Sequence, residues 1–528
     1  MAVRKDYTSA RNVRDAITHG NELTDAGKYS YTALCALGLN YLFNNNWDET
    51  FNKQCLATLI KQLQLPSQVE PFMDSILKGE IKQPIKPYVE VLKEEPRISG
   101  DLSILLHDFI LLGVQEGKYD ARWRVLVQHL TEQLDISHEL MDVFENSVVD
   151  CLTSKHPVKT KEEIAGAKHR QMVVKAKRYA LIGLATLGGG ALIGITGGLA
   201  APLIGAGLGT IVGGSAAILG TAAGVAVVGS LFGAAGAGLT GYKMHKRVGE
   251  IEEFAFGHLD CVEKMTKNNN EKDDYKVEIQ FKQHLHITIA ITGWLRDDKV
   301  DMFVQPWLCL SMSKEQYYLR YESSYLLELG RAMDYIVSAM VSMATQEVLK
   351  FTALAGIISA VAWPAGLLGL ASVIDNPWGV CCRRSAQVGK QLAEVLLSRE
   401  QGYRPVTLVG YSLGARVIYY CLREMSERKG CEGIIQDAIL IGGPCSGNSY
   451  EWQKFTRVVA GRLVNGYCRS DWLLKFLYRT LSMPTGGVAG LQPVTLEDRR
   501  MVNVDLSHIV TGHSEYPEKM HLIMKEMG

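Results

Sequence analysis

Residues 405–418 read Pro-Val-Thr-Leu-Val-Gly-Tyr-Ser-Leu-Gly-Ala-Arg-Val-Ile, an apolar strand that runs into Gly-x-Ser-x-Gly and out into a helix. The spacing predicts a sharp strand-to-helix turn. Gly410 and Gly414 flank it because larger residues would clash, Tyr411 precedes the serine, and Ser412 is expected at the carboxyl end of a sheet with its Oγ exposed. The competing reading of the stretch is a tight βα turn with a spare serine. Outward from this elbow, from Tyr275 onward, short apolar runs alternate with helical stretches, as in a mostly parallel sheet covered on both faces. Strands are expected over 287–292, 316–321, 406–409, 438–441, 463–467 and 501–504. Helices are expected over 328–349, 384–399, 415–429 and 450–460. The fold class is α/β.

A serine alone is a poor nucleophile, so a base and an orienting acid must follow in the order Ser, Asp or Glu, His. Asp471 lies just past the 463–467 strand, although an Asp before an apolar helix is also a common N-cap. His513 lies in the glycine-flanked loop Thr511-Gly512-His513-Ser514-Glu515-Tyr516. Asp437 would sit at the wrong end of a parallel sheet, Asp505 reads as a turn residue, and His508 lies close to its strand. A nascent oxyanion also needs donors. The backbone N–H of Leu413 is one candidate. A second is expected from Thr292-Gly293-Trp294-Leu295, where Gly293 allows close approach and Trp294 or Leu295 supplies the N–H; the competing reading is an ordinary strand-ending turn. This chemistry needs no cofactor and no metal.

The rest of the chain is divided by composition. Over 24–151 apolar residues recur at helical spacing, as in Leu34, Leu37 and Tyr41 and again in Leu105, Phe109 and Leu112, which predicts an all-helical N-terminal domain over 1–154. Within it, 101–152 reads helix, glycine turn, helix, break, helix, an order that resembles TerB-like domains. The metal-holding turns of such domains are matched here only by Glu116 and Asp120, so a solvated turn is expected. Residues 155–178 carry eight Lys or Arg against two Glu, and 179–242 contain no charged side chain. A bilayer crossing takes about 20 apolar residues, and the run is rich in small-xxx-small spacings such as Gly205 to Gly209 to Gly213. Basic flanks on both sides favour an even number of crossings, a transmembrane helical hairpin turning near Ala201-Pro202; the competing reading is a pair of glycine-rich helices buried in protein. A charged linker is expected over 243–277, then the α/β domain over 278–528, interrupted by an apolar insert at 351–374 that reads as a lid, a buried insert or a crossing.

Charge excludes some partners. The 56 Lys and Arg balance 56 Asp and Glu, so a broad nucleic-acid-binding face is not expected. Eleven scattered cysteines without a CxxC pair fit a reducing compartment, and residues 1–20 lack the apolar stretch of a signal peptide. The expectation is an integral protein of an intracellular membrane with both the helical and the α/β domains facing the cytosol.

The pieces Thr292-Gly293-Trp294, 318–323 (Tyr-Leu-Arg-Tyr-Glu-Ser), Asn376-Pro377-Trp378, the elbow from Arg404 to Tyr419, Ser470-Asp471-Trp472 and 512–516 together resemble the transmembrane and coiled-coil domain-containing protein 4 family. The resemblance covers 155–528. It implies an α/β-hydrolase fold behind a membrane hairpin and a triad of Ser412, Asp471 and His513. Two functions are then expected: a membrane-anchored serine hydrolase that cleaves an acyl ester or thioester of a lipid or lipid-modified substrate, or a non-catalytic membrane scaffold whose N-terminal helical domain recruits protein partners.

Overall fold

The computed structural model describes residues 22–96, 98, 101–153, 229–232, 239, 251–259, 283–310, 315–346, 368–478 and 486–528. The N-terminal part is helical as expected: α1 (Asp25–Leu42), α2 (Glu49–Gln62), α3 (Glu70–Leu77), α4 (Lys86–Lys93), α5 (Ser103–Val114), α6 (Ala121–Gln133) and α7 (His138–Thr153). Thr24 starts α1 by accepting the Gly27 N–H, and Asp120 starts α6 by accepting the Arg122 N–H. Asp120 is thus a cap, paired also with the Arg122 guanidinium at 2.9 Å, and Glu116 is exposed. Leu34, Leu39, Leu105 and Phe109 face one core, whereas Tyr41, on the expected apolar face, is 62% exposed and stacks on His129.

Seven strands form one sheet in the order β1-β3-β2-β4-β5-β6-β7. They are β1 (Phe254–His258), β2 (Ile287–Ile291), β3 (Glu315–Tyr321), β4 (Val406–Tyr411), β5 (Ile435–Ile441), β6 (Leu463–Tyr467) and β7 (Met501–Asp505). β2 to β7 pair in parallel, and β2 and β6 are buried along their whole length, as strands covered on both faces must be. β1 pairs antiparallel with β3 at the edge and lies within the expected 243–277 linker. Its five residues alternate buried and half-buried, a weak signal beside the charged residues around it.

Four long helices cover the sheet: α8 (Ser323–Gln346), α9 (Ala371–Leu397), α10 (Leu413–Ser426) and α11 (Ser449–Val458). Two more, α12 (Trp472–Leu477) and α13 (Tyr516–Met527), follow β6 and β7. α9 begins thirteen residues before the expected start at 384 and contains Pro377, because buried Ile374, Trp378 and Cys381 anchor its first turns and packing overrides the helix breakers. It lies close against α10: a Cβ on Gly389 would stand 2.5 Å from the Val417 carbonyl oxygen. Of the apolar insert at 351–374, residues 351–367 lie outside the described residues and Ala371 to Ile374 belong to α9.

The expected hairpin over 179–242 is corrected at its end. Leu231 and Phe232 are buried in the core of the helical part, and Leu239 is buried in the core of the sheet. A protein interior accepts an uncharged stretch as readily as lipid does. The remainder of that run and the basic 155–178 segment lie outside the described residues. Among the described residues no helix is long and apolar enough to cross a membrane.

The helical part docks at the strand roots. Tyr119 N–H donates to Tyr403 O (2.8 Å), Ala121 N–H to Gly433 O (3.0 Å) and Arg124 Nη1 to Gln436 Oε1 (2.8 Å). Arg499 Nε reaches Leu42 O (2.8 Å) from the turn before β7. Between the two parts, Ser230 O accepts the Tyr403 N–H (3.1 Å), and Arg404 stacks over the Phe232 ring.

Candidate active site

The chain crosses from β3, on one side of β2, to β4 on the other, so a topological switch point opens above the carboxyl ends of β2 and β4, where parallel sheets place their sites. Ser412 stands there. Its φ of +52° and ψ of −121° are unusual for a residue with a side chain, and such strain persists only where the surroundings impose it. Here they do. The Ser412 N–H donates to Ile441 O (2.8 Å), continuing the sheet. A Cβ on Gly410 would stand 2.7 Å from the Gly414 carbonyl carbon, and one on Gly414 would stand 2.0 Å from Ile291 O, which is why the elbow tolerates nothing larger than glycine two positions before and two positions after the serine.

The three residues expected to act together lie in one hydrogen-bonded chain. His513 Nε2 lies 2.7 Å from Ser412 Oγ, and His513 Nδ1 lies 2.6 Å from Asp471 Oδ2. Asp471 also satisfies the competing reading, since its Oδ1 accepts the Leu474 N–H at 3.0 Å and caps α12. The rivals are elsewhere. Asp437 Oδ1 accepts the Arg462 N–H at the root of β6, Asp505 pairs with Arg469 and Ser507, and His508 is 60% exposed beside Glu526.

One expectation fails: Ser412 is 1% exposed rather than open to solvent, and Asp471 and His513 are equally buried. Part of the cover is the loop after β2. A Cβ on Gly293 would stand 2.3 Å from Tyr411 O, 2.6 Å from Ser412 Cβ and 2.9 Å from the Leu413 nitrogen. The loop thus presses on the elbow, beside the Leu413 N–H, which as the first of its helix has no intrahelical acceptor. Of the two candidates for a second donor, Leu295 N–H is already given to Leu326 O (3.2 Å), and Trp294 N–H is the other. Below the loop, Tyr411 packs edge-on to Trp294 and against Trp307, and burial pushes its hydroxyl pKa well up.

Two further residues at the site carried no sequence signal of their own. Arg296 ties the β2 loop to the histidine loop, with Nη1 at 2.7 Å from Glu518 and Nη2 at 3.4 Å from Ser514 O, and its Nε lies 3.5 Å from Asp334 on α8. Tyr516 packs edge-on to the His513 ring at 5.3 Å. An arginine two residues past a candidate oxyanion donor and a tyrosine three past a candidate base are the only hints the sequence offers. Among the described residues no group of three or more His, Cys, Asp or Glu is arranged to hold a metal.

A family model described as a protein of unknown function, DUF726, matches residues 174–528, which include every strand and all three residues of the chain just described. The chain belongs to this family. It is 42% identical to an uncharacterized membrane protein of Caenorhabditis elegans over 94% of this chain and 79% of that protein. It is 36% identical to the transmembrane and coiled-coil domain-containing protein STS1 of Oryza sativa subsp. japonica over 78% of this chain and 61% of that protein. Similarity extends to the probable lipase MIL1 of Saccharomyces cerevisiae, 29% identical over 88% of this chain and 42% of that protein. No solved structure matches the chain. The DUF726 match begins beyond α7, so the helical part lies outside it, although the Caenorhabditis relative is similar over nearly the whole chain.

Proposed function

We propose that this protein is a serine hydrolase of the α/β-hydrolase fold, held at a membrane, that cleaves an acyl ester or thioester of a lipid or lipid-modified substrate. The observation that carries this reading is the unbroken hydrogen-bond chain from Ser412 through His513 to Asp471. In the proposed reaction, Ser412 Oγ attacks the acyl carbon while His513 Nε2 takes its proton. Asp471 remains a carboxylate and balances the imidazolium. The oxyanion is met by the Leu413 N–H and by the Trp294 N–H beside Gly293. As the tetrahedral adduct collapses, the bond to the leaving alcohol or thiol breaks and His513 returns the proton to it. A water then repeats the sequence on the acyl-serine, restoring the enzyme.

Lipid as the substrate class is supported by the uncharged 179–228 stretch, long enough for two crossings at about 20 residues each. It is also supported by relatives named as membrane proteins and, in one case, as a probable lipase. The burial of Ser412 favours a second reading, a scaffold that keeps the hydrolase framework without turnover. A fluorophosphonate probe separates the two because it requires an activated serine. The full-length protein in detergent should label and Ser412→Ala should not, with both equally folded by circular dichroism. Equal labelling of the two proteins would place the nucleophile elsewhere, and absence of labelling across pH and detergent would leave the scaffold.

A further inference from the structure

Tyr516, the first residue of α13, is wholly buried beneath the histidine, its ring at 86° to the imidazole plane. A Cβ on Gly442 would stand 2.7 Å from its hydroxyl oxygen, so the glycine just past β5 makes the seat for this phenol. The hydroxyl has no hydrogen-bond partner of normal geometry, and an unpaired polar group in a closed interior is costly to keep. Its ring lies against the imidazole whose Nδ1 meets Asp471, and burial first, then the Asp471 charge, push the Tyr516 hydroxyl pKa up. Asp471 accepts one hydrogen bond on each oxygen, from Leu474 N–H and from His513 Nδ1, and a carboxylate can accept about four. The other titratable groups here are His513 itself and Cys468 at the end of β6. The Cys468 thiol donates to Val510 O at 3.2 Å and is pushed up by burial, so it stays neutral.

Resting on the serine hydrolase reading above, we infer that Tyr516 is a positioning residue of the triad, whose hydroxyl donates to Asp471 as the imidazolium forms and holds the carboxylate in the orientation that aims His513 at Ser412. The tyrosine touches neither substrate nor the reacting atoms. Its effect should therefore be visible in how the histidine titrates. A hydrogen bond to the carboxylate spreads its charge. Without that bond, Asp471 grips the imidazolium more tightly, and a higher pH is needed to free the base.

The test is the rate of fluorophosphonate labelling of the full-length protein in detergent between pH 5 and 9, with thermal unfolding recorded alongside. Tyr516→Phe keeps the ring and removes the donor. It is expected to label about fivefold more slowly at pH 7, with the acid limb of the profile moved up by about half a unit and little change in unfolding temperature. In an Asp471→Asn background the same substitution should add nothing, because the tyrosine acts through the acid. Should Tyr516→Phe not fold, 3-fluorotyrosine at position 516, a stronger donor of the same shape, should move the limb downward. A Tyr516→Phe profile superimposable on that of the wild type, while labelling remains dependent on Ser412, would overturn the role of Tyr516 alone, as would an unchanged limb with 3-fluorotyrosine. Absence of Ser412-dependent labelling in the wild type would instead overturn the hydrolase reading, and this inference with it.

Discussion

Asp471 does two things with two oxygens, and they separate by substitution. Oδ1 holds the first turn of α12 and Oδ2 holds His513. Asparagine caps a helix about as well as aspartate, but it presents no negative charge to an imidazolium and favours the wrong tautomer. Asp471→Asn is therefore expected to unfold at nearly the wild-type temperature while losing about 10⁴-fold in turnover or labelling rate. Asp471→Ala should lose as much activity and also about 1 kcal/mol of stability, read from the unfolding midpoint. Near-normal labelling of Asp471→Asn would remove Asp471 from the triad. At this scale the sequence was most legible. The glycines beside Ser412, the order of acid and histidine, and the glycine before Trp294 each reflect a local steric or chemical demand. The burial of Ser412 was not legible, because it depends on segments far apart in the chain that meet only once the sheet is built.

Between elements, the roots of β3 and β4 are tied across β2 by a buried ion pair. Arg404 Nη1 and Nη2 meet the Glu315 carboxylate, and Nη1 also donates to His284 O. Burial pushes the Glu315 pKa up, but the Arg404 charge and hydrogen bonds outweigh it and hold the group below its usual range. A carboxylate depressed in this way contributes stability above the unfolded-state pKa of about 4.3 and loses it as pH falls through the lower folded value. Arg404→Met strands the Glu315 charge at neutral pH, where the expected cost is about 3–5 kcal/mol. The stranded carboxyl protonates more easily, so the penalty should shrink between pH 7 and pH 4.5. Unfolding midpoints of the two proteins at both values check this; a penalty independent of pH would mean that lost packing, not the charge, sets the cost. The sequence showed β2 and β4 because buried parallel strands are mostly apolar runs. β1 stayed hidden because a five-residue edge strand buries one face only, and the first turns of α9 because Pro377 reads as a breaker until Ile374 and Trp378 are seen packed.

Across the whole molecule, the helical part grips the strand roots while the candidate site occupies the opposite end of the sheet. Arg124 is the centre of that grip, with Nε and Nη2 on Glu145 (2.7 and 2.9 Å), Nη1 on Gln436, and the Tyr119 hydroxyl also on Glu145. Arg124→Ala should cost about 3–5 kcal/mol by leaving the buried Glu145 charge without its cation, with the Tyr119 hydroxyl still donating to it. Amide exchange at Tyr119 and Ala121, whose N–H groups bridge the seam, should accelerate, while Ser412 labelling changes less than about twofold because additivity holds for distant sites. A large loss of labelling without unfolding would instead mean that the seam governs the far end of the sheet. The seam also has a mechanical meaning. Ser230 and Phe232 are fastened to Tyr403 and Arg404, and the next strand carries Ser412 at its other end, about 20 Å away. Tension on the chain ahead of Gly229 would thus arrive as a shear load at the foot of β4, and the strand that carries the serine is the first rigid strut to bear it.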